Sequence, residues 1–315
     1  MYAVPDASPT PADPRGRIVA VVVTFDRLAL LQRLLPVLLA EPRVAEVLVV
    51  DNASTDGTGA WLAGLGEPRV LSRTSAENTG GAGGFHDGMA WALERDADLI
   101  WLMDDDAVPL PGCLDLLLER DDLDFWGPAV VAEQDPQRRL CFPIRLPGRT
   151  RVVHDLADVE AAAVDGLIPG VVIPFNGVLV TRDLVERIGF PRAEFFIWGD
   201  DVEYLWRAER AGARIATVVA ARFSNPATDD LGTPMMFGRT TYNHTPSELK
   251  HYCMARNNTV NLRTYRGAVF VLAFWVKTLW FYAFTRPRPA RIATSARAAL
   301  AGLRGDFTGH RRYLR

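Results

Sequence analysis

Three consecutive carboxylates follow an apolar run in the middle of the chain. Residues 100–103 are Ile-Trp-Leu-Met, and Asp104, Asp105 and Asp106 come directly after them. Such a run predicts a strand buried on both faces of a parallel sheet, and ligands of open α/β sheets bind beyond the carboxyl ends of such strands. The alternating pair Asp104 and Asp106 suits a hard divalent cation, which takes oxygen ligands and often bridges phosphates. The alternative is an acidic turn that begins a helix, where Asp is favoured.

A second acidic cluster lies in the last third of the chain. Asp200, Asp201 and Glu203 precede a predicted helix, and Trp198 is one of four aromatic residues around them. Aromatic rings stack on sugar faces, and burial beside them raises the pKa of a carboxylate toward that of a useful general base. The alternative is again helix capping, because acids at a helix N-terminus interact favourably with its dipole.

A glycine-rich run occupies residues 78–84, before a helix predicted from Phe85 to Arg95. It does not match the dinucleotide fingerprint, because His86 stands where the last glycine is needed, and it lacks the Gly-Lys-Ser/Thr of a P-loop. Glycines before a helix allow backbone amides to approach an anion closely. We therefore expect Gly81 and its neighbours to contact a substrate phosphate, the alternative being a flexible turn.

Strands and helices alternate four times before the first acidic cluster. β-Branched or apolar runs predict strands at residues 17–24, 44–50, 70–71 and 100–103, and helical spacing follows the first three. This pattern predicts a Rossmann-like, mostly parallel α/β sheet flanked by helices. The later strands, such as residues 125–131, predict a mixed sheet, and the polar stretch from Arg145 to Gly166 predicts a loop.

Composition and charge narrow the class of protein. The chain has 315 residues, is 49% hydrophobic and 23% charged, and carries a formal net charge of −3, so a globular protein without a nucleic-acid partner is expected. With three cysteines at least one is unpaired, which suits a reducing cytoplasm. Residues 1–17 are rich in Pro, Ala and Asp without a hydrophobic signal region, so a disordered tail is expected.

The C-terminal extension, residues 263–315, combines basic charge with an apolar stretch. It holds 11 Lys and Arg residues against one acid, Asp306. Gly267–Phe284 is intensely apolar, contains Lys277 and has arginines on both flanks. Its length is marginal for crossing a bilayer, so residues 267–291 are predicted to lie on an anionic membrane surface. A buried core helix is the alternative.

Taken together, these motifs resemble a family 2 inverting glycosyltransferase of the GT-A fold. The motifs that carry the resemblance, in the order and spacing of the family, are residues 24–27 (Thr-Phe-Asp-Arg), 51–52 (Asp-Asn), 78–84, 104–106 and 200–203 (Asp-Asp-Val-Glu). The Gly-Gly-Ala-Gly-Gly-Phe run and the Phe-Asn-Gly turn at Phe175 are similar to bacterial galactofuranosyltransferases that start cell-wall galactan on a polyprenyl-pyrophosphate-linked acceptor. Rhamnosyltransferases are near relatives.

The resemblance implies a role for each matching residue. The residues implied to hold the uridine and diphosphate are Thr24, Arg27, Asp51 and Asn78, and Gly81 and Asp105 are also expected to bind substrate. The implied metal ligands, for Mn²⁺ or Mg²⁺, are Asp104, Asp106 and Asn225; the family usually has His at the last position, so Asn225 is a departure. The residues implied at the acceptor are Asp201 as general base, Asp200 and Glu203 as hydroxyl-orienting acids, and Trp198 as a stacking platform.

The implied function is transfer of galactofuranose from UDP-galactofuranose to a glycan or polyprenyl-linked acceptor. The alternatives are a rhamnosyl- or other hexosyltransferase that uses a dTDP- or UDP-sugar, and a non-catalytic protein that binds nucleotide sugars or lipids. The GT-A domain is expected at residues 18–262, with a nucleotide half (18–107) and an acceptor half (108–262). The enzyme is expected in the cytoplasm, peripheral on the inner face of the membrane.

Overall fold

The computed structural model describes residues 15–148, 152–226 and 232–314. The strands are β1 (Ile18–Thr24), β2 (Val44–Asp51), β3 (Val70–Thr74), β4 (Leu99–Asp104), β5 (Val108–Pro109), β6 (Phe125–Ala132), β7 (Arg139–Arg145), β8 (Val152–Asp155), β9 (Leu167–Pro169), β10 (Asn176–Thr181), β11 (Ile215–Asn225), β12 (Thr233–Met235) and β13 (Thr240–Tyr242). The α-helices are α1 (Leu28–Leu39), α2 (Thr58–Gly64), α3 (Gly80–Glu94), α4 (Cys113–Leu118), α5 (Leu156–Ala162), α6 (Arg182–Ile188), α7 (Asp200–Arg210), α8 (Glu248–Asn261), α9 (Ala268–Trp280) and α10 (Pro289–Leu303).

A mixed sheet forms the centre of the molecule, with the strand order β3-β2-β1-β4-β10-β6-β11-β5. The first four strands along this path are parallel to one another. β10 then runs antiparallel to both β4 and β6, while β11 is again parallel to β6. The predicted α/β class is therefore confirmed, including the change to a mixed sheet after the first acidic cluster.

β1 is buried along its whole length and joins two hydrophobic layers. Successive strand residues point to opposite faces of a sheet. Ile18, Ala20 and Val22 accordingly pack in a cluster with the leucines of α1. Val19 and Val21 belong to a second cluster, which contains the apolar face of α3. Helices thus cover both faces of the parallel strands, as a parallel sheet requires.

α3 begins at Gly80, so the prediction that this helix starts at Phe85 is wrong. The glycines lie within its first turns because the helix packs very closely on the sheet. A Cβ atom at Gly84 would lie 2.4 Å from a methyl group of Val23, and one at Gly88 would lie 2.4 Å from a methyl group of Val21. Gly84 and Gly88, which are four residues apart, therefore allow the helix to lie close to the sheet.

The prediction of a loop from Arg145 to Gly166 is also wrong. β8 pairs with β7, and α5 follows it directly. Val153, Leu156 and Val159 pack in a third hydrophobic cluster, which stabilises this segment. Residues 149–151 of the predicted loop lie outside the described residues, as do residues 1–14 of the predicted tail.

The C-terminal helices pack on the rest of the molecule through α8. Ala298 of α10 and Tyr252 of α8 share a cluster with Phe196. α9 is different, because the helical stretch Ala268–Thr285 is long and apolar enough to cross a membrane, yet only 17% of it is buried. The core-helix alternative is therefore wrong. The boundary at residue 263 stays a prediction.

Candidate active site

The carboxyl ends of the central strands bring the first predicted site residues together. Thr24 at the end of β1 is the register partner of Asp51 at the end of β2. On the other side of β1, Val23 is the partner of Asp104 at the end of β4. This edge is where parallel α/β sheets bind ligands.

Asp105 is a buried anchor between two donors. The hydroxyl of Thr24 donates a hydrogen bond of 2.7 Å to Asp105 Oδ2. Arg27 Nη1 donates to Asp105 Oδ1 at 3.0 Å and to Asp106 Oδ2 at 2.7 Å. Burial raises the pKa of Asp105, and the positive charge of Arg27 opposes that rise. Asp105 therefore orients Thr24 and Arg27, two of the residues expected at the nucleotide.

Asp104 lacks a partner of this kind. No described residue donates a hydrogen bond to its carboxylate, and its pKa lies well above the usual range because of burial and the nearby charges of Asp106 and Asp105. Within the described residues no group of three or more His, Cys, Asp or Glu side chains is arranged to hold a metal ion. A cation at Asp104 and Asp106 would thus need further oxygen ligands, and a substrate diphosphate has them.

Asn225 lies at the same edge. Ser224 is the register partner of Val108, so the next residue along β11 reaches the level of Ala107, beside Asp106. Asn225 Nδ2 donates a hydrogen bond of 2.7 Å to Asn176 Oδ1. This bond leaves Asn225 Oδ1 without a donor among the described residues. A neutral amide oxygen fits a hard divalent cation as a weak additional ligand.

The turn before α3 is organised by Asn52, which sequence reasoning did not assign to the site. Asn52 Oδ1 accepts hydrogen bonds from the backbone and hydroxyl groups of Thr79, at 2.9 and 3.0 Å. Its Nδ2 donates to the carbonyl of Gly80 at 2.9 Å. Asn78 Oδ1 accepts from the Gly80 amide at 2.8 Å. These bonds hold the start of α3 at the sheet edge.

Two further predicted donor-site residues have distinct surroundings. Asp51 is fully buried and accepts hydrogen bonds from the Ser54 amide at 3.0 Å and the Thr74 hydroxyl at 3.2 Å. Gly81 differs from Gly80 because a Cβ atom at Gly81 would meet nothing within 4 Å. Its open side is compatible with a ligand that approaches the backbone.

The second acidic cluster lies at the start of α7. Gly199, with φ of 96°, precedes Asp200, the first residue of the helix. Asp201 Oδ1 accepts hydrogen bonds from the amides of Gly199 and Val202, at 3.2 and 2.7 Å. One oxygen of Asp201 thus caps the helix, while Oδ2 has no donor among the described residues. Burial raises the pKa of Asp201, which favours a carboxylate able to accept a proton.

Asp200 connects the two acidic clusters electrostatically. Burial, with the charges of Asp201 and Glu203, raises its pKa to about 8. The charge of Asp200 in turn contributes to the high pKa of Asp104. Asp104 and Asp200 are therefore within electrostatic reach of each other, and the loop before α7 contacts the start of α3, because the Ala82 amide donates a hydrogen bond of 3.0 Å to the Phe196 carbonyl.

Glu203 and Trp198 are more enclosed than expected of residues that meet an acceptor. Glu203 accepts hydrogen bonds from Arg207 at 2.8 Å and from the hydroxyl of Tyr265 at 2.5 Å. Both carboxylate oxygens are thus engaged by the protein. Trp198 is half-buried and packs against a cluster that contains Tyr242. A direct acceptor contact by Glu203 stays a prediction.

Three polar residues of α8 hold the loop that precedes Asp200, and sequence reasoning missed them. Asn257 Nδ2 donates to the carbonyls of Phe195, Ile197 and Trp198, at 3.0, 3.2 and 2.7 Å. The fully buried Arg256 also donates to the Phe195 carbonyl, at 2.7 Å. Asn261 Nδ2 donates to the Gly199 carbonyl at 2.7 Å. The only signal in the sequence is the polar run Arg256-Asn257-Asn258 within a helical stretch.

Comparison with known proteins places this geometry in a family. Residues 19–132 match the Glycosyl transferase family 2 domain. Galactofuranosyltransferase GlfT1 of Mycolicibacterium smegmatis is 32% identical over 297 residues, which cover 92% of this chain and 97% of that protein. The undecaprenyl-phosphate mannosyltransferase of Micrococcus luteus is 28% identical over 64% of this chain and 82% of its own length.

A solved structure agrees with the sequence comparisons at the level of the fold. The mannosyltransferase PcManGT of Pyrobaculum calidifontis, determined with GDP-Man and Mn²⁺, superposes with a TM-score of 0.51 at 17% identity. The match covers 96% of this chain and 79% of that one. The resemblance drawn from the motifs is confirmed by these findings, and the chain belongs to the family 2 glycosyltransferases.

Proposed function

We propose that this glycosyltransferase moves galactofuranose from UDP-galactofuranose to the glycan of a polyprenyl-linked acceptor. The sugar is supported by the activity that names the Mycolicibacterium relative, which the chain matches over nearly its whole length. The lipid carrier is supported by the name of the Micrococcus relative, which acts on an undecaprenyl phosphate. The apolar, exposed α9 supports the same view, since a lipid-linked acceptor lies in a membrane.

The observation that carries the proposal is the proximity of the two acidic clusters, because the loop before α7 is hydrogen-bonded to the first turn of α3 through Phe196 and Ala82. The charge of Asp200 contributes to the raised pKa of Asp104, although the residues belong to different halves of the domain. A sugar transfer needs a site for the leaving diphosphate and a base for the incoming hydroxyl. Asp104 with Asp106 fits the first need, and Asp201 fits the second.

Asp104 and Asp106 would hold a divalent cation, with Asn225 as an additional oxygen ligand. The unpartnered, buried carboxylate of Asp104 fits such an ion, because a positive charge would relieve the repulsion among the three acids. When bound, the cation neutralises the charge of the leaving diphosphate. The choice between Mn²⁺ and Mg²⁺ is open, and the Mn²⁺ in the Pyrobaculum structure supports the former.

Side chains of the protein perform the remaining steps of the transfer reaction. Arg27, Thr24 and the turn at Asn78 orient the nucleotide and diphosphate. Asp201 Oδ2 accepts the proton of the acceptor hydroxyl while the oxygen of that hydroxyl forms a bond to the anomeric carbon of the donor sugar. The bond from that carbon to the phosphate oxygen breaks, and its electron pair leaves with UDP. A single displacement of this kind inverts the configuration of the sugar.

Membrane association is part of the proposal. The exposed apolar residues of α9 include Phe270 and Leu272, at 54% and 66% exposure. Arginines flank the helix on both sides, so an anionic lipid surface on the cytoplasmic side suits it. We propose a peripheral rather than spanning position, because Lys277 lies within the apolar stretch.

The test is a donor panel with purified enzyme, Mn²⁺ and a polyprenyl-diphosphate-linked disaccharide. UDP-galactofuranose is expected to give a product one hexose heavier, whereas UDP-galactopyranose and UDP-glucose are not. Preference for dTDP-rhamnose would favour the rhamnosyltransferase alternative. Donor binding without either transfer or metal-dependent hydrolysis would favour a non-catalytic binding protein.

A further inference from the structure

A second recess lies away from the acidic clusters, between β7, β13, α8 and α9. It encloses about 300 Å³. Its walls combine apolar rings with amide and hydroxyl groups and two basic side chains. The residues that line it are Phe142, Pro143, Arg145, Val152, Gly232, Thr241, Tyr242, Asn243, Met254, Asn258, Phe274 and Lys277.

The two basic residues of this recess give it an unbalanced positive charge. Among the residues that the structure describes, Arg145 forms no ion pair and Lys277 Nζ donates only to the carbonyl of Thr241, at 3.3 Å. The pKa of Lys277 is lowered by burial and by the charge of Arg145, so the two cations are within electrostatic reach of each other. No Asp or Glu is among the described residues that line the recess. Neighbouring cations in a partly apolar recess are unfavourable unless an anion joins them.

One side of the recess continues along the apolar surface of α9. Lys277 follows Phe274 by three residues and Phe270 by seven, a spacing that places the three side chains on one face of a helix. Phe274 lines the recess and Phe270 is 54% exposed. A hydrocarbon chain that starts at Lys277 can therefore run over these rings toward the bilayer.

The other side of the recess adjoins the loop of residues 195–199, which precedes Asp200. Tyr242, Met254 and Phe274 line the recess, and they pack in or against the cluster that also contacts Trp198. Asn258 lines it too, and the preceding residue, Asn257, donates a hydrogen bond to the Trp198 carbonyl. A glycan that leaves the recess on this side would lie beside Trp198, three residues before Asp201.

We propose that Arg145 and Lys277 bind the diphosphate of the polyprenyl carrier, with the lipid along α9 and the glycan directed toward Asp201. This inference rests on the proposed function, because it assigns one part of the acceptor to its own subsite. The alternative occupant is the headgroup of a bulk anionic phospholipid, which has the same charge but carries no glycan.

The test measures binding and turnover separately. Undecaprenyl diphosphate in phosphatidylcholine nanodiscs is titrated against wild-type enzyme, Arg145→Gln, Lys277→Gln and the double variant. Each single change is expected to weaken binding about tenfold, because a hydrogen bond to a charged group contributes ~1.5 kcal/mol or more. Arg145→Lys and Lys277→Arg keep the charge and are expected to restore most of the affinity. Arg139→Gln, on the same strand but outside the recess, is the control with unchanged binding.

Turnover supplies the second readout. The KM for a polyprenyl-diphosphate-linked acceptor is expected to rise in the variants much more than the KM for a neutral octyl glycoside of the same glycan. An equal rise for both acceptors, or unchanged diphosphate binding in the double variant, overturns the proposal. Equal weakening toward phosphatidylglycerol nanodiscs without carrier also overturns it in favour of bulk lipid. If no donor is transferred at all, the proposed function fails, while the binding titration still decides this subsite.

Discussion

Arg27 Nη1 lies 2.7 Å from Asp106 Oδ2, so a guanidinium neutralises one of the two carboxylates that would hold a cation. At the proposed cation site, Arg27 and a divalent ion would therefore compete for Asp106. A bound diphosphate would release the competition, because its oxygens can pair with Arg27 while the cation takes Asp106.

Arg27→Gln is accordingly expected to change two affinities in opposite directions. Mn²⁺ should bind more tightly to the free variant, because the competing charge is gone. UDP should bind about tenfold more weakly in the presence of Mn²⁺, because a charge-assisted hydrogen bond is lost. Calorimetric titrations with Mn²⁺ and with UDP measure the two affinities. Arg73→Gln is the control, because Arg73 stacks on Trp91 elsewhere in the molecule. A parallel loss of both affinities would contradict the competition.

Asp201→Asn is expected to lower kcat at least ~10²-fold and leave UDP binding unchanged, since general-base catalysis contributes that much. Asp200→Asn should have a smaller effect near pH 7, because a carboxyl group with a pKa of about 8 is already neutral there. Single-turnover rates and UDP titration of both variants separate the roles. The reverse order of rate losses would assign the base to Asp200 instead.

Asn225→His is expected to tighten Mn²⁺ binding to the free enzyme, because imidazole nitrogen is a better transition-metal ligand than an amide oxygen. The difference between free and UDP-bound affinities should narrow, since the diphosphate then supplies a smaller share of the ligands. Calorimetric Mn²⁺ titration with and without UDP measures this. Equal affinities in the two proteins would show that position 225 does not face the metal.

Membrane binding is expected to depend on the exposed face of α9. Replacing Leu272 and Val276, which are exposed one turn apart on α9, by Asp should abolish co-sedimentation with phosphatidylglycerol vesicles, because each buried apolar side chain contributes about 1.5–3 kcal/mol. Wild-type binding should also weaken as salt screens the flanking arginines. Val164→Asp, at another exposed apolar position, is the control. Unaltered sedimentation of the double variant would contradict the interfacial role.

His251 is expected to make the protein less stable in mild acid. Burial lowers its pKa to about 4. The unfolded chain binds this proton near pH 6.5, so unfolding is favoured as pH falls from 6.5 to 4, by at most ~1.4 kcal/mol per pH unit. Buried carboxyls with raised pKa values, such as Asp200, act in the opposite direction. The measurement is therefore the free energy of unfolding by denaturant of wild type and of His251→Gln, each at pH 7.5 and pH 5. The difference between the two proteins should be smaller at pH 5 than at pH 7.5.

Periodicity and composition predicted the parallel half of the fold, because each strand and helix there has a local apolar pattern. The start of α3 was predicted too late, because its glycines were interpreted as a turn. In the structure they lie within the helix and allow close packing against Val21 and Val23. Both acidic clusters were found from local sequence. Their supports were not, because Asn257 and Tyr265 meet their partners across about 60 residues of chain, a distance that no local pattern reveals.

The carbonyl groups of Phe195, Ile197, Trp198 and Gly199 all accept hydrogen bonds from α8, which is itself covered by α10. We therefore expect the loop of residues 195–199 and the C-terminal helices to unfold together on heating. Removing the last fifty or so residues to obtain a more soluble enzyme would uncover Tyr252 and Ala255 of α8. Such a shortened protein is expected to lose turnover at a lower temperature than it loses the parallel sheet.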